Sequence, residues 1–105
     1  MSYQSHKTNR ELNQQLLIGI KKHLLIAQTT SEPKQTRLTS LRNIGEVLEY
    51  VLDNMNEAIP PEEHAICFRF FTILLVKVKH AEINIHQTPS SFNDEIGFIS
   101  VLLKI

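Results

Sequence analysis

Apolar residues recur at steps of three and four along four separate segments of this chain, and that spacing constrains its fold more than any other feature. It places the apolar side chains on one side of an α-helix. The predicted helices cover residues 9–28, 32–58, 61–83 and 90–104. Proline, serine and threonine cluster between them, as is typical of turns and helix starts. The sequence therefore predicts an all-α fold, a compact four-helix bundle that forms a single helical domain over residues 1–105.

Each predicted helix has an apolar stripe that we expect to form the core. The stripes are Leu12, Leu16, Ile20, Leu24 and Ala27 in the first helix; Leu41, Ile44, Leu48, Val51 and Met55 in the second; Cys67, Phe70, Phe71, Leu74, Val78 and Ala81 in the third; and Phe92, Ile96, Ile99 and Leu103 in the fourth. The opposite side of the third helix carries Arg69, Thr72, Lys79 and His80.

The C-terminal half also carries a competing pattern. Val76-Lys77-Val78 and Ile83-Asn84-Ile85 alternate with a period of two, which is typical of strands. The alternative is therefore an α+β fold with a small sheet in this half. Helices are favoured because the three-four spacing persists over fifteen residues, and because no hairpin turn lies between Phe68 and Ile85.

The sequence lacks the patterns of common catalytic and cofactor sites. Its three glycines are isolated, so they cannot form a phosphate-binding loop. The five histidines and one cysteine do not have zinc-ligand spacing, and no glutamate has a histidine three residues later, as a di-iron bundle requires. Cys67 lies in an apolar stripe, where we expect a buried, unreactive thiol. We therefore predict a non-enzymatic protein without a cofactor or metal.

The same composition bears on localisation. A single cysteine excludes an intrachain disulfide and favours a reducing compartment. Residues 1–10 are polar and lack the apolar segment of a secretory signal. The most apolar run, residues 65–76, contains Arg69 and is shorter than the ~20 residues that cross a bilayer. We expect a cytoplasmic protein with no membrane insertion.

Two apolar stripes exceed what a monomeric bundle needs. Ile18 and Leu25 lie one heptad apart, roughly opposite the main stripe of the first helix. Phe98, Val101 and Ile105 form a second stripe on the last helix. Because a helix that is apolar on two sides is either central or covered by another molecule, these residues predict a homodimer or a docked protein partner. Coverage of loops by one stripe is the alternative.

The charge is distributed unevenly, although the chain is neutral overall. Residues 1–45 carry seven basic and two acidic residues, and residues 46–105 carry four basic and nine acidic ones. An acidic ladder on the second helix contains Glu46, Glu49, Asp53 and Glu57. The ladder is either a solvated surface or a docking strip for a basic partner.

These observations favour a non-enzymatic interaction protein that binds and regulates, inhibits or protects another protein, as adaptors, inhibitors, chaperones and immunity proteins do. The alternative is a small nucleic-acid-binding regulator that uses the basic N-terminal half. Its phosphate contacts would be Lys21, Lys22, Arg37 and Arg42.

Overall fold

The fold consists of helices joined by short connections. A computed structural model describes residues 9–59 and 61–103. The elements are α1 (Asn9–Gln28), α2 (Lys34–Asp53), the one-turn α3 (Met55–Ala58), a 3₁₀ turn (Pro61–Glu63), α4 (His64–Ile83) and α5 (Asn93–Leu103). No strand occurs within the described residues. The prediction of an all-α helical bundle is confirmed, and the alternative with a small sheet is not supported.

Several helix boundaries differ from those predicted. α2 begins at Lys34 rather than residue 32, and α4 begins at His64 rather than residue 61, after the 3₁₀ turn. The second helix was expected to continue to residue 58, but α2 ends at Asp53. Asn54 leaves the helical conformation, and its side-chain amide donates to the Tyr50 carbonyl at 2.8 Å. Asparagine often ends a helix in this way, because its side chain competes for backbone hydrogen bonds. The last helix begins at Asn93 rather than residue 90, since Pro89 to Phe92 remain in the loop.

The core lies along α2, which packs against both α1 and α4. The stripe predicted for the second helix is buried at every position: Leu41, Ile44, Leu48 and Val51 of α2, and Met55 of α3. In α1, Leu17 is buried whereas Leu16 is only partly so, and the side chain of Leu12 lies outside the described part. Phe70, Ala81 and Ile96 are partly buried at the edge of the core.

α5 packs on α1 and reaches α4 through side chains. The Lys77 ammonium on α4 donates to Glu95 Oε2 at 2.9 Å and to the Ser91 carbonyl at 2.7 Å. The same ammonium lies 4.7 Å from the centre of the Phe92 ring, within the range of a cation–π interaction. These contacts fix the start of α5 beside the middle of α4.

We expect Leu48→Ala to lower the free energy of unfolding by about 2–5 kcal/mol, because Leu48 is fully buried in the middle of α2 and its truncation leaves a cavity. Urea unfolding followed by far-UV circular dichroism would measure the loss. Leu25→Ala is the matched control, since Leu25 is 46% exposed and its truncation should cost less than about 1 kcal/mol. Equal losses in the two variants would contradict this placement of the core.

Candidate interaction surfaces

α4 is apolar on two opposite sides. One side carries the buried Cys67, Phe71, Leu74 and Val78. The other carries Ile66, Ile73, Val76 and Ile83, whose exposed fractions range from 58% to 80%. Polar residues alone were predicted on this side, and the apolar residues between them were not. An exposed apolar stripe of this length is typical of a surface that another molecule covers.

The exposed side of α4 has the spacing of a coiled coil. Its positions alternate steps of three and four, and we call them the α4 outer seam: Ile66, Arg69, Ile73, Val76, His80 and Ile83. Four of the six are Ile or Val, the β-branched residues that pack well at coiled-coil a positions. The seam spans about 25 Å of helix at 1.5 Å per residue. One helix of another molecule could therefore pack along most of α4.

The two apolar stripes that the sequence predicted as contact surfaces differ in how much of each is exposed. Ile18 and Leu25 are about half exposed on α1. On α5, Val101 is 74% exposed. Phe98 is partly buried, because its ring packs on the Phe70 ring with 4.2 Å between the ring centres. Ile105 lies outside the described residues. The free apolar surface of α5 is therefore smaller than the sequence suggested.

The acidic ladder lies beside an apolar groove. Glu46, Glu49 and Asp53 are exposed on α2, whereas the side chain of Glu57 lies outside the described part. A groove of ≈ 440 Å³ separates this side of α2 from α1. It is lined by Gln15, Leu16, Glu46, Val47 and Tyr50. Apolar surface and negative charge thus occur together, as a basic amphipathic segment would require.

The four basic residues considered for nucleic-acid binding have dissimilar surroundings. Lys22 is exposed on α1 and Lys21 is half-buried. Arg42 forms an ion pair with Glu82 at 3.1 Å, and Arg37 is buried. Two of the four candidate phosphate contacts are thus already engaged or covered within the bundle.

Two titratable side chains, the partly buried His23 and the fully buried Cys67, have shifted pKa values. Burial, aided by the charge of Lys22, lowers the pKa of His23 below its ordinary value of 6.5. The His23 ring lies 3.1 Å from the Ser40 hydroxyl, across the contact between α1 and α2. Burial, together with the nearby Glu63, raises the pKa of the Cys67 thiol. A buried thiol that holds its proton is a poor nucleophile and a poor metal ligand.

The described part of the chain offers little for metal chemistry or membrane spanning. Within it, no three His, Cys, Asp or Glu side chains come together as a metal site would require. No helix in residues 9–59 or 61–103 combines the length and the apolar character that a bilayer crossing needs.

Comparisons with models of protein families, with curated proteins and with solved structures find no match to this chain.

The stability of the bundle should fall as the pH is lowered through 6.5, in part because of His23. Its pKa is lower in the folded protein than in the unfolded chain, so the unfolded chain takes up the proton first. Above this range both states are neutral and His23 contributes no pH dependence. Urea unfolding between about pH 8 and about pH 5 would measure the effect.

The control is His23→Gln, which keeps a polar side chain and cannot be protonated. Its free energy of unfolding should decline less than that of the native protein over the same pH range. Parallel declines would show that His23 carries none of the pH dependence.

Proposed function

We propose that this protein is a non-enzymatic interaction protein that pairs with a second copy of itself through the α4 outer seam and presents its other surfaces to a further protein. The observation that carries the proposal is the coiled-coil spacing of exposed Ile and Val residues on a helix whose opposite side already fills the core. A single copy leaves this apolar seam in contact with water.

The seam is self-complementary in an antiparallel arrangement. Its members lie at equal distances on either side of the midpoint between Leu74 and Leu75. Two copies related by a twofold axis at that point would pair Ile66 with Ile83, and Ile73 with Val76, across the interface. An interface of this kind uses the same surface on both copies, as twofold dimers do.

The polar members of the seam favour the antiparallel direction over the parallel one. In a parallel pair, Arg69 would face Arg69 of the other copy, and two close guanidinium groups repel each other. In the antiparallel pair, Arg69 faces His80, whose ring nitrogen can accept a hydrogen bond when the imidazole is neutral. Seam geometry and charge thus support the same arrangement.

The groove between α1 and α2 supports the second half of the proposal, a contact with another protein. Tyr50 and Val47 supply apolar surface, and Glu46 supplies negative charge at the edge. Such a groove suits a basic amphipathic helix, which binds through its apolar side and is selected by charge. Regulation, inhibition or protection of that partner would follow from occupancy of the groove. The alternative, nucleic-acid binding, is favoured by none of the contacts described above.

Val76→Glu should convert a dimer into a monomer, because it places a carboxylate next to Ile73 of the other copy. Sedimentation velocity over a range of concentrations would measure the change. Val101→Glu is the matched control, since Val101 is similarly exposed but lies on α5 outside the seam. A native protein that is monomeric at every soluble concentration would contradict the proposed pairing, as would a dimer that Val101→Glu disrupts and Val76→Glu leaves intact.

Disulfide cross-linking would establish the direction of pairing. A variant with both Ile66→Cys and Ile83→Cys should form two disulfides between copies, because bridged cysteines need Cα atoms within about 7 Å. Ile66→Cys alone should stay unlinked, since the two copies of residue 66 would lie about 25 Å apart in an antiparallel pair. Rapid cross-linking of the single variant would instead indicate a parallel pair.

Glu46→Lys should weaken binding of a basic amphipathic peptide made of leucine and lysine, because it reverses the charge at the edge of the groove. Fluorescence anisotropy of the labelled peptide would measure affinity. Asp94→Lys makes the same change in net charge on α5 and should have little effect. Similar losses in both variants would mean that the peptide responds to net charge and not to the groove.

A further inference from the structure

Arg37 is buried although it was considered as a surface residue in the sequence. It lies in the first turns of α2 and is only 7% exposed. Its Nε–H donates to the Glu32 carbonyl at 3.2 Å. Among the described residues, no carboxylate forms an ion pair with this guanidinium. A buried cation without a counter-charge is costly, because the protein replaces its water of hydration only in part.

Arg37 lines a narrow cleft of ≈ 70 Å³ between the start of α2, the end of α4 and the loop that leads to α5. Its polar lining consists of Arg37, His80, Asn84, Gln87, Thr88 and Ser90. None of the residues lining it is acidic. The cleft thus combines one fixed positive charge with several groups that can donate hydrogen bonds.

A second cation lies at the same end of the bundle. Lys34 of α2 approaches His86 of the α4–α5 loop, with 3.1 Å between Nζ and Nδ1. This contact links the start of α2 to the loop that covers the cleft. The local field therefore favours a negative ligand more than Arg37 alone would.

We propose that this cleft binds a small oxyanion, a carboxylate or a phosphate, with Arg37 as its anchor. The two terminal amino groups of a guanidinium form a planar fork that matches two oxygens of such an anion. Hydroxyl groups of Thr88 and Ser90 can donate to the remaining oxygens. The bound anion would supply the negative charge that no described carboxylate supplies to Arg37 through an ion pair, and it would hold the α4–α5 loop on α2.

Titration of the ¹⁵N-labelled protein with sodium phosphate, and separately with sodium acetate, would test the site. Ionic strength is held constant with sodium chloride to remove general screening. We expect saturating shifts of the Arg37 Nε–H signal and of the Thr88 and Ser90 amide signals with one anion or both. Saturation by phosphate alone identifies a phosphate site, and saturation by acetate identifies a carboxylate site.

Arg37→Lys keeps the charge but removes the fork, and it should weaken binding about tenfold or more. Arg42→Lys is the matched control and should bind as the native protein does, because Arg42 already pairs with Glu82 on the surface. Val76→Glu should also bind normally, since the cleft shares only His80 with the α4 outer seam. This variant separates a failure of the anion site from a failure of the proposed pairing.

Chemical shifts that change linearly with the concentration of both anions, without saturation, would overturn the proposal. Arg37 would then have a structural role. Saturating shifts that Arg37→Lys leaves unchanged would overturn it equally. If Arg37→Lys fails to fold, the native titration still decides whether the anion binds, and Ser90→Ala, an exposed position, shows whether it binds in this cleft. Loss of affinity in Ser90→Ala supports the site, and unchanged affinity counts against it.

Discussion

The burial of α2 between α1 and α4 is the interaction on which the rest of the structure depends. Every position of its apolar stripe is inside, and both neighbouring helices pack against it. α5 depends on this arrangement in turn, since Lys77 holds its first residues and Phe70 holds Phe98 only while α4 stays in place. Because α2 occupies the centre, α1, α4 and α5 each keep a side that the bundle itself does not cover.

That geometry explains why α4 is the unusual element. A helix that is apolar on two opposite sides normally packs against neighbours on both, yet α4 lies at the edge of the bundle. Its inner side holds α2, and its outer side has the regular spacing of a second helix contact. Scattered exposed apolar residues are normal on a protein surface. Four of them in one coiled-coil register, symmetric about the midpoint between Leu74 and Leu75, form a continuous contact surface instead.

Much of the fold could be predicted from the sequence, because three-four spacing and turn residues mark the long helices independently of their packing. The α4 outer seam could not be predicted in the same way. α4 is apolar on two sides, and the stripe that forms the core accounts for the helical spacing on its own. Testing every face of that segment for heptad spacing would have found it. Arg37 was misread for another reason: charge alone predicts exposure, whereas its burial depends on the α4–α5 loop, which is distant in sequence. The end of α2 at Asn54 could not be predicted from spacing, because it depends on one hydrogen bond from the Asn54 side chain to the Tyr50 carbonyl.

The outer seam of α4, the cation of Arg37 and the acidic ladder of α2 share one property. Each departs from what stability alone would select. Apolar residues face water, a cation is buried without an ion pair to any described carboxylate, and like charges follow one another along a helix. Such departures from local rules concentrate at functional sites, where a ligand or partner supplies what is missing. The three lie largely on different parts of the bundle, and among the described residues the cleft and the seam share His80. The proposed contacts therefore do not compete for the same surface.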